Sequence, residues 1–295
     1  MIQTHTSPPQ TLTLLAAKGN RALQEILQNS SSQELQPLSS GKSLETLLQN
    51  LFDETLQENT QNKAILKLLQ NNPTLKSLGH LQDNIKELYH SLEKNSPLSK
   101  TLNSFLQTID SLTSQELTQK LQNSGIFLES KLKNEEHLQN DFKALLLQAQ
   151  SEIHDPKTLK HIDKLLLQID YYQLSSYLAN TPTLFIPYQW DLLENGHLRI
   201  QRTQKQQTIC DIELTLKTYG TLKLRLGLFE HNQLYITINT QSEQLTTLLQ
   251  THIQELKKQL IKIHLIPKEI SFVQEKETPY HTNTPEFSSG FEVNV

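Results

Sequence analysis

The chain has 295 residues and a net charge of −4, and its composition is dominated by leucine (55 residues) and glutamine (32 residues). Glycine is scarce at 8 residues, which argues against a phosphate-binding loop or a dinucleotide fold. The acidic balance argues against nucleic acid as a partner, and the single cysteine, Cys210, excludes an intramolecular disulfide and a cysteine-based zinc site.

The first ten residues are rich in threonine, proline and glutamine, so residues 1–10 are predicted to be disordered. They lack the basic start and the long apolar stretch of a cleaved secretory signal. No stretch of the sequence approaches the roughly 18 apolar residues that a membrane helix needs. We therefore expect synthesis in the cytoplasm, no cleaved signal and no membrane insertion.

Helical periodicity dominates residues 11–180. Ser43, Pro73, Pro97 and Pro156 each open a run of apolar residues at helical spacing, and proline at a first helical turn is a start signal. A further helix is predicted within 136–150. Short polar breaks separate these runs, which favours an array or bundle of helices, and the Gln, Asn, Ser and Thr faces between the apolar stripes are interpreted as solvated.

The period changes to two near Thr181-Pro182, which we interpret as a domain boundary. Alternating apolar residues predict half-buried antiparallel strands, with turns at Tyr219-Gly220 and at 230–233. Helical spacing then returns, with either a Thr240–Glu243 capping box or Ser242 as the start signal, and a short strand ends the pattern. The alternating stretches before the helix cover 198–202, 212–216, 222–228 and 234–238, and a last short strand at 270–273 follows it.

The predicted fold class is therefore α+β. An all-helical region at 11–180 precedes a small antiparallel sheet packed on one long helix at 181–275, in the order β-β-β-α-β. The second part has its own apolar faces and is expected to fold without the first. The tail at 276–295, rich in Thr, Ser and Pro, is expected to be flexible.

Catalytic motifs are weak in this sequence. His154-Asp155 matches the pair of metal-dependent phosphohydrolases, and His137 and Asp163 could complete such a site, but Pro156 interrupts the helix that should present the pair. Asp155 is better interpreted as a helix cap. We predict no catalytic residue, no metal and no cofactor.

An aromatic stretch lies at the proposed boundary, with Trp190 following Tyr171, Tyr172 and Tyr177. It has no interleaved lysine or arginine, so base stacking is disfavoured. Packing between the two parts is the favoured interpretation, and a groove for a partner is the alternative.

Three segments of the second part are more specific: the run 214–226 around Tyr219-Gly220, the strand 234–238, and the helix with Leu248-Leu249 and 256–260, followed by Ile270. Together they resemble the C-terminal domain of the bacterial flagellar hook-length control family. Tyr219-Gly220 stands where the family usually has Leu-Gly, Lys257 replaces an arginine, and Pro267 falls where a glycine is common. The resemblance covers 184–275, and 124–132 and 186–191 also resemble some members.

The resemblance implies a role in assembly and no catalysis. It implies that the protein is exported by the flagellar type III apparatus. Its N-terminal part would act as the export signal and as the measuring segment that touches hook and hook-cap proteins. Its C-terminal domain would contact the switch component of the export gate. Secretion then changes from rod and hook substrates to filament substrates. We expect a monomer. The alternative is a cytoplasmic helical adaptor or chaperone-like scaffold with no flagellar role.

Two sets of residues follow from the resemblance. The positions that match those where switching defects arise in the family are interpreted as the joint between sheet and helix: Gly220, Leu222, Leu224, Leu256 and Leu260. The first candidates for direct contact with the partner are Lys223 and Arg225, on the opposite face of that strand. The alternative is the outer face of the helix, with Lys257, Lys258 and Lys262.

Overall fold

A computed structural model describes most of the chain, namely residues 19–30, 60–78, 80–108, 113–179, 181–185, 190–202, 207–230 and 232–273. The predictions for 1–10, for the helix opened by Ser43 and for the tail at 276–295 lie outside these residues. No helix in the described ranges is long and apolar enough to cross a membrane.

Nine helices in the described part precede the sheet: α1 (Arg21–Asn29), α2 (Thr60–Asn71), α3 (Pro73–Lys76), α4 (Leu81–Ser91), α5 (Pro97–Phe105), α6 (Ser114–Gln122), α7 (Leu128–Lys133), α8 (Phe142–Glu152) and α9 (Pro156–Leu178). Prolines open α3, α5 and α9, as predicted, and in each case the preceding residue caps the helix with its side chain. The run opened by Pro73 is two helices rather than one, because α3 ends after four residues and α4 begins at Leu81.

The 23-residue helix α9 organises the helical region, since α1, α2, α4 and α8 all pack against it. Two buried clusters lie along it. The first joins α4, α5 and α8 to the N-terminal half of α9, and the second joins α1, α2 and α3 to Leu174 and Leu178. A polar segment of α9 separates them, where Gln168, Asp170 and Gln173 are all buried.

One six-stranded sheet forms the C-terminal part, with strands adjacent in sequence also adjacent in space: β1 (Thr183–Phe185), β2 (Leu193–Arg202), β3 (Thr208–Leu216), β4 (Gly220–Phe229), β5 (Gln233–Thr240) and β6 (Ile266–Val273). The predicted β-β-β-α-β order was wrong in number, because five strands precede the helix. The prediction of an antiparallel sheet was also wrong at one edge, because β5 and β6 are parallel.

The parallel pair follows from the connection between the two strands. Helix α10 (Glu243–Lys262) begins where β5 ends and returns the chain to the beginning of β5, so the next strand must run in the same direction. Of the two predicted start signals, Ser242 is the observed one: its side chain accepts a hydrogen bond from the backbone N–H of Leu245. The α+β class is confirmed.

The short strand β1 connects the two parts of the chain. Its backbone pairs with β2, and Ile200 N–H also donates to the carbonyl of Pro182. The side chains of Leu184 and Phe185 are buried in the first helical cluster, with Leu198 and Ile200 packed against it. The sheet and the helices therefore share apolar contacts at this edge.

Candidate functional site

The hairpin that joins β3 to β4 turns at the glycine that the resemblance singled out. Gly220 is the first residue of β4 and pairs with Leu216, and its φ is +73°. This left-handed conformation strains residues that carry a Cβ, even though the space beside Gly220 is open. Glycine therefore sets the register of the hairpin at this position.

That register gives the sheet one apolar and one polar face. Ile212 lies opposite Leu224 and Leu214 opposite Leu222 on the apolar face, while Asp211 lies opposite Arg225 and Glu213 opposite Lys223 on the polar face. Helix α10 covers part of the apolar face and contacts β5 and β6.

The predicted joint between sheet and helix is only partly formed. Leu222 is buried in an apolar cluster formed by β3, β4, β5 and the start of α10, which we call the sheet–helix cluster. Leu224 and Leu260 are half-buried against it. Leu256 was expected to pack with them, but it is 39% exposed. Helical spacing places Leu256 on the same stripe as Leu245 and Leu260, yet the sheet does not fully cover the helix there, so the prediction of burial was wrong for this residue.

The polar face carries paired charges rather than free ones. The guanidinium of Arg225 donates to both carboxylate oxygens of Asp211, over 2.6 and 3.0 Å. These hydrogen bonds raise the pKa of Arg225 above its ordinary value. Such a bidentate pair neutralises both side chains and fixes them across the strands.

On the same polar face, Glu213 of β3 lies between Lys223 of β4 on one side and His197 of β2 on the other. Burial lowers the pKa of His197, and Arg199 and Lys223 act in the same direction against the opposing effect of Glu213. Both Lys223 and Arg225 are half-buried. They lie on the strand face that was predicted, but their charges are matched within the sheet.

The lysines of α10 are more accessible to a partner. Lys258 and Lys262 are exposed and lie one helical turn apart, and Lys257 is half-buried. They belong to a run, residues 256–268, that contains four lysines and no acidic residue.

The phosphohydrolase interpretation finds no support in the described residues. The carboxylate of Asp155 accepts from the backbone N–H and hydroxyl of Thr158, which is the arrangement of a helix cap. Asp163 pairs with Arg21 at 3.2 Å. No group of three or more potential metal ligands occurs in the part of the chain that the structure describes.

The aromatic residues near the boundary pack within the protein. Tyr172 lies 5.8 Å from Phe185 between ring centroids, and Trp190 packs against the sheet–helix cluster. Cys210 lies half-buried on β3, and burial raises the pKa of its thiol to about 11, so it is unreactive at neutral pH.

Sequence reasoning missed two features of this site. The pairing of Asp211 with Arg225 could have been found, because a hairpin centred on Thr218 places the two residues opposite each other. The second feature is the exposure of Ile261 and Ile263 at the end of α10. The sequence could not indicate it, because the spacing of these isoleucines continues the apolar pattern of the helix and of β6.

The part of the chain that forms the sheet and its helix matches the model of a known protein family. Residues 196–280 match the model of the flagellar hook-length control protein FliK, which spans β2 to β6 together with α10. The C-terminal part of the chain is therefore similar to this family. The expected span of 184–275 is therefore confirmed from residue 196 onward, and β1 lies outside the matched residues.

The hook-length control family is not a family of enzymes, which agrees with the predicted role in assembly. No curated protein and no solved structure matched the chain. The helical region, at residues 19–179, thus precedes a hook-length control domain and lies outside the match.

We predict that two leucines of this domain differ sharply in their contribution to its stability. Leu222→Ala should lower the free energy of unfolding by about 2–5 kcal/mol, because Leu222 is buried and its truncation leaves a cavity. Leu256→Ala should cost less than about 1 kcal/mol, because part of that side chain is already in water. Urea unfolding followed by the fluorescence of Trp190, the only tryptophan, measures both. Equal losses would contradict this assignment of the core.

Proposed function

We propose that the chain controls flagellar hook length by switching the substrate specificity of the type III export apparatus, and that it does so through contact between its hook-length control domain and the switch component of the export gate. The observation that carries the proposal is the family match over 196–280, which coincides with the sheet and its helix. In this proposal the protein is made in the cytoplasm and then exported, as members of the family are.

The helical region supplies the export signal and the measuring segment in this proposal, and it meets hook and hook-cap proteins during export. Its described helices are short, mostly 4–12 residues, with α9 as the exception. Short helices held by tertiary contacts lose their structure once those contacts are broken. This supports passage of the chain through a narrow channel as an unfolded polypeptide.

The outer face of α10 is the proposed surface for the gate. Lys258 and Lys262 are exposed, whereas Arg225 is held by Asp211 and Lys223 lies opposite Glu213. Exposed charges steer association and keep their full charge for a partner, while a matched pair must first be broken. Lys257, Lys258 and Lys262 are therefore favoured over Lys223 and Arg225 for direct contact.

A deletion strain examined by electron microscopy tests this function. We expect overlong hooks that lack filaments, because secretion would not change to filament substrates. Complementation with the full chain should restore hook length, and complementation with Lys258→Glu/Lys262→Glu should not. Lys94→Glu/Lys100→Glu, which reverses two exposed lysines of the helical region, is the matched control and should complement.

Normal hooks and filaments in the deletion strain would refute the proposal and favour the adaptor or scaffold alternative. Full complementation by Lys258→Glu/Lys262→Glu would keep the switching role but place the gate contact on another face of the domain.

A further inference from the structure

The corner between α10 and β6 exposes apolar side chains to an unusual degree. Ile261 and Ile263 are 61% and 64% exposed, which makes them the most exposed large apolar side chains in the part of the chain that the structure describes. Ile266, at the start of β6, is 45% exposed. Large apolar side chains that are this exposed and lie within six residues of one another mark interaction sites more often than scattered ones do.

The backbone explains why these isoleucines face outward. The N–H of Leu265 donates to the carbonyl of Leu260, the N–H of His264 donates to that of Ile261, and His264 has a φ of +64°. This pair of bonds around a left-handed residue is the Schellman motif that ends a helix. Leu265 turns inward onto the sheet–helix cluster, so Ile261 and Ile263 are left on the outside of the turn.

Positive charge surrounds the same corner. Lys262 is in the last turn of α10, Lys258 lies one turn before it, and Lys268 is exposed just beyond the corner. At 1.5 Å per residue, Lys258 and Lys262 lie about 6 Å apart along the helix axis. The carboxylates closest in sequence are Glu255, three residues before Lys258 and 3.7 Å from Nδ1 of His252, and Glu269, on the polar face of the sheet. Glu230, just before β5, accepts from Gln233.

We propose that this corner docks on the surface of a lipid bilayer that carries anionic headgroups. Ile261, Ile263 and Ile266 enter the headgroup layer, and Lys258, Lys262 and Lys268 contact lipid phosphates. Apolar side chains flanked by lysines are the combination that holds a protein at such a surface, where burial and electrostatic attraction act together.

The shape and the chemistry of the corner favour a bilayer over an acidic segment of a protein. The three isoleucines are 45–64% exposed, so they stand out from the turn rather than line a groove that could hold a helix or a strand. Lysines are point charges on flexible stems, and they suit a mosaic of mobile phosphates better than one fixed set of carboxylates.

The docking goes beyond the proposed function, although the place where it would act rests on that function. An apparatus that moves proteins out of the cytoplasm must cross the membrane, so its cytoplasmic surface lies next to lipid headgroups. A domain that lies on the bilayer searches for the gate in two dimensions, and Lys258 and Lys262 exchange lipid phosphates for the gate surface when the two meet.

Flotation of the full-length chain with vesicles tests the proposal. Vesicles of phosphatidylcholine with about one third phosphatidylglycerol should carry the protein upward, pure phosphatidylcholine should not, and added salt should weaken binding. Ile261→Ser/Ile263→Ser should lower the partition coefficient about tenfold or more. Lys258→Gln/Lys262→Gln should lower it about fivefold per lysine.

Two matched controls use exposed residues elsewhere in the chain. Leu132→Ser removes a side chain that is 55% exposed on α7, and Lys100→Gln removes an exposed lysine of α5; both should bind as the unchanged protein does. All replaced side chains are exposed, so thermal unfolding should stay the same, and circular dichroism checks this.

Three results would overturn the proposal: no flotation with anionic vesicles, equal flotation with neutral ones, or unchanged flotation of the Ile261→Ser/Ile263→Ser variant. The vesicles contain no export-gate protein, so failure here leaves the proposed function standing. Conversely, normal hooks in the deletion strain would refute that function without affecting the binding to lipid.

Discussion

Replacing Lys143 with methionine is expected to lower the free energy of unfolding of the helical region by about 3–5 kcal/mol. The ammonium of Lys143 lies 2.7 Å from a carboxylate oxygen of Asp170 and 2.8 Å from one of Glu129, and all three side chains are largely buried. Methionine keeps most of the volume but removes the charge. Two carboxylates would then remain in the interior without their cation, and this accounts for the expected loss.

The surroundings of Lys143 leave little room for an alternative arrangement. Gln173 accepts from the Lys143 ammonium at 2.9 Å and donates to the carbonyl of Ile126. Gly125 has a φ of +90°, and a Cβ there would approach that of Lys143 to 2.7 Å. The chain before α7 and the start of α8 are thus fitted to each other, so relaxation around the vacated charge is restricted.

The pairing of Lys143 is complete at neutral pH. Burial acts to lower the pKa of Lys143, but the carboxylates of Asp170 and Glu129 and their hydrogen bonds raise it above its ordinary value. A lysine whose pKa is raised by folding contributes stability that is fully present below the unfolded pKa, near 10.5, and is lost only as the pH rises through the higher folded value. Neutral buffer therefore gives the full effect of the substitution.

Urea unfolding at pH 7, followed by circular dichroism at a helix band, measures the loss in the full chain. Lys100→Met is the control, because Lys100 is an exposed lysine of α5 and its replacement should change stability by less than about 0.5 kcal/mol. Equal stability of the Lys143→Met and Lys100→Met variants would show that the buried cluster contributes nothing.

This cluster marks the limit of what the sequence could predict in the helical region. Apolar spacing located the helices opened by Pro97 and Pro156 and the cap at Asp155, because such signals are local. The interpretation of the Gln, Asn, Ser and Thr faces as solvated was wrong for Gln173, which is buried. The buried charges of Asp141, Lys131 and Lys143 were not predicted at all. Their partners lie 10 to 30 residues away in sequence, and only the packed fold brings them together.

The same contrast holds for the candidate site. Gly220 and the two strand faces followed from alternation and turn chemistry, both of which are short-range. The exposure of Leu256 depends on how far the sheet extends under α10, and the outward corner at Ile261 and Ile263 depends on where the helix ends. The helical spacing of apolar residues determines neither the extent of the sheet under α10 nor the residue at which the helix ends.

Phe185 provides the second large expected effect, because it connects the two parts of the chain. It is 1% exposed on β1, and its ring centroid lies 5.9 Å from that of Phe105 and 5.8 Å from that of Tyr172. Thr183, on the same strand, donates its backbone N–H to the hydroxyl of Ser176 on α9 at 2.8 Å. The side chain of Phe185 is thus buried among helices while its backbone pairs with the sheet.

Phe185→Ala should lower the free energy of unfolding by about 3–5 kcal/mol and should also separate the unfolding of the two parts. Trp190 packs against the sheet–helix cluster, so its fluorescence follows the hook-length control domain. Circular dichroism follows mainly α1 to α9, the helices that the structure describes before the sheet. In the unchanged protein we expect the two transitions to coincide. In the variant the helical transition should move to lower urea concentration than the fluorescence transition, because the shared contact is lost and the sheet keeps its own core.

Leu146→Ala distinguishes loss of connection from mere loss of stability. Leu146 is fully buried in the same cluster but lies on α8, within the helical region. Its truncation should lower both transitions together, because Phe185 still joins the two parts. If Phe185→Ala also leaves the transitions coincident, then the hydrogen bonds between β1 and β2 and the contact of Ser176 with Thr183 are sufficient to couple the helices to the sheet, and the aromatic contact is not what joins them.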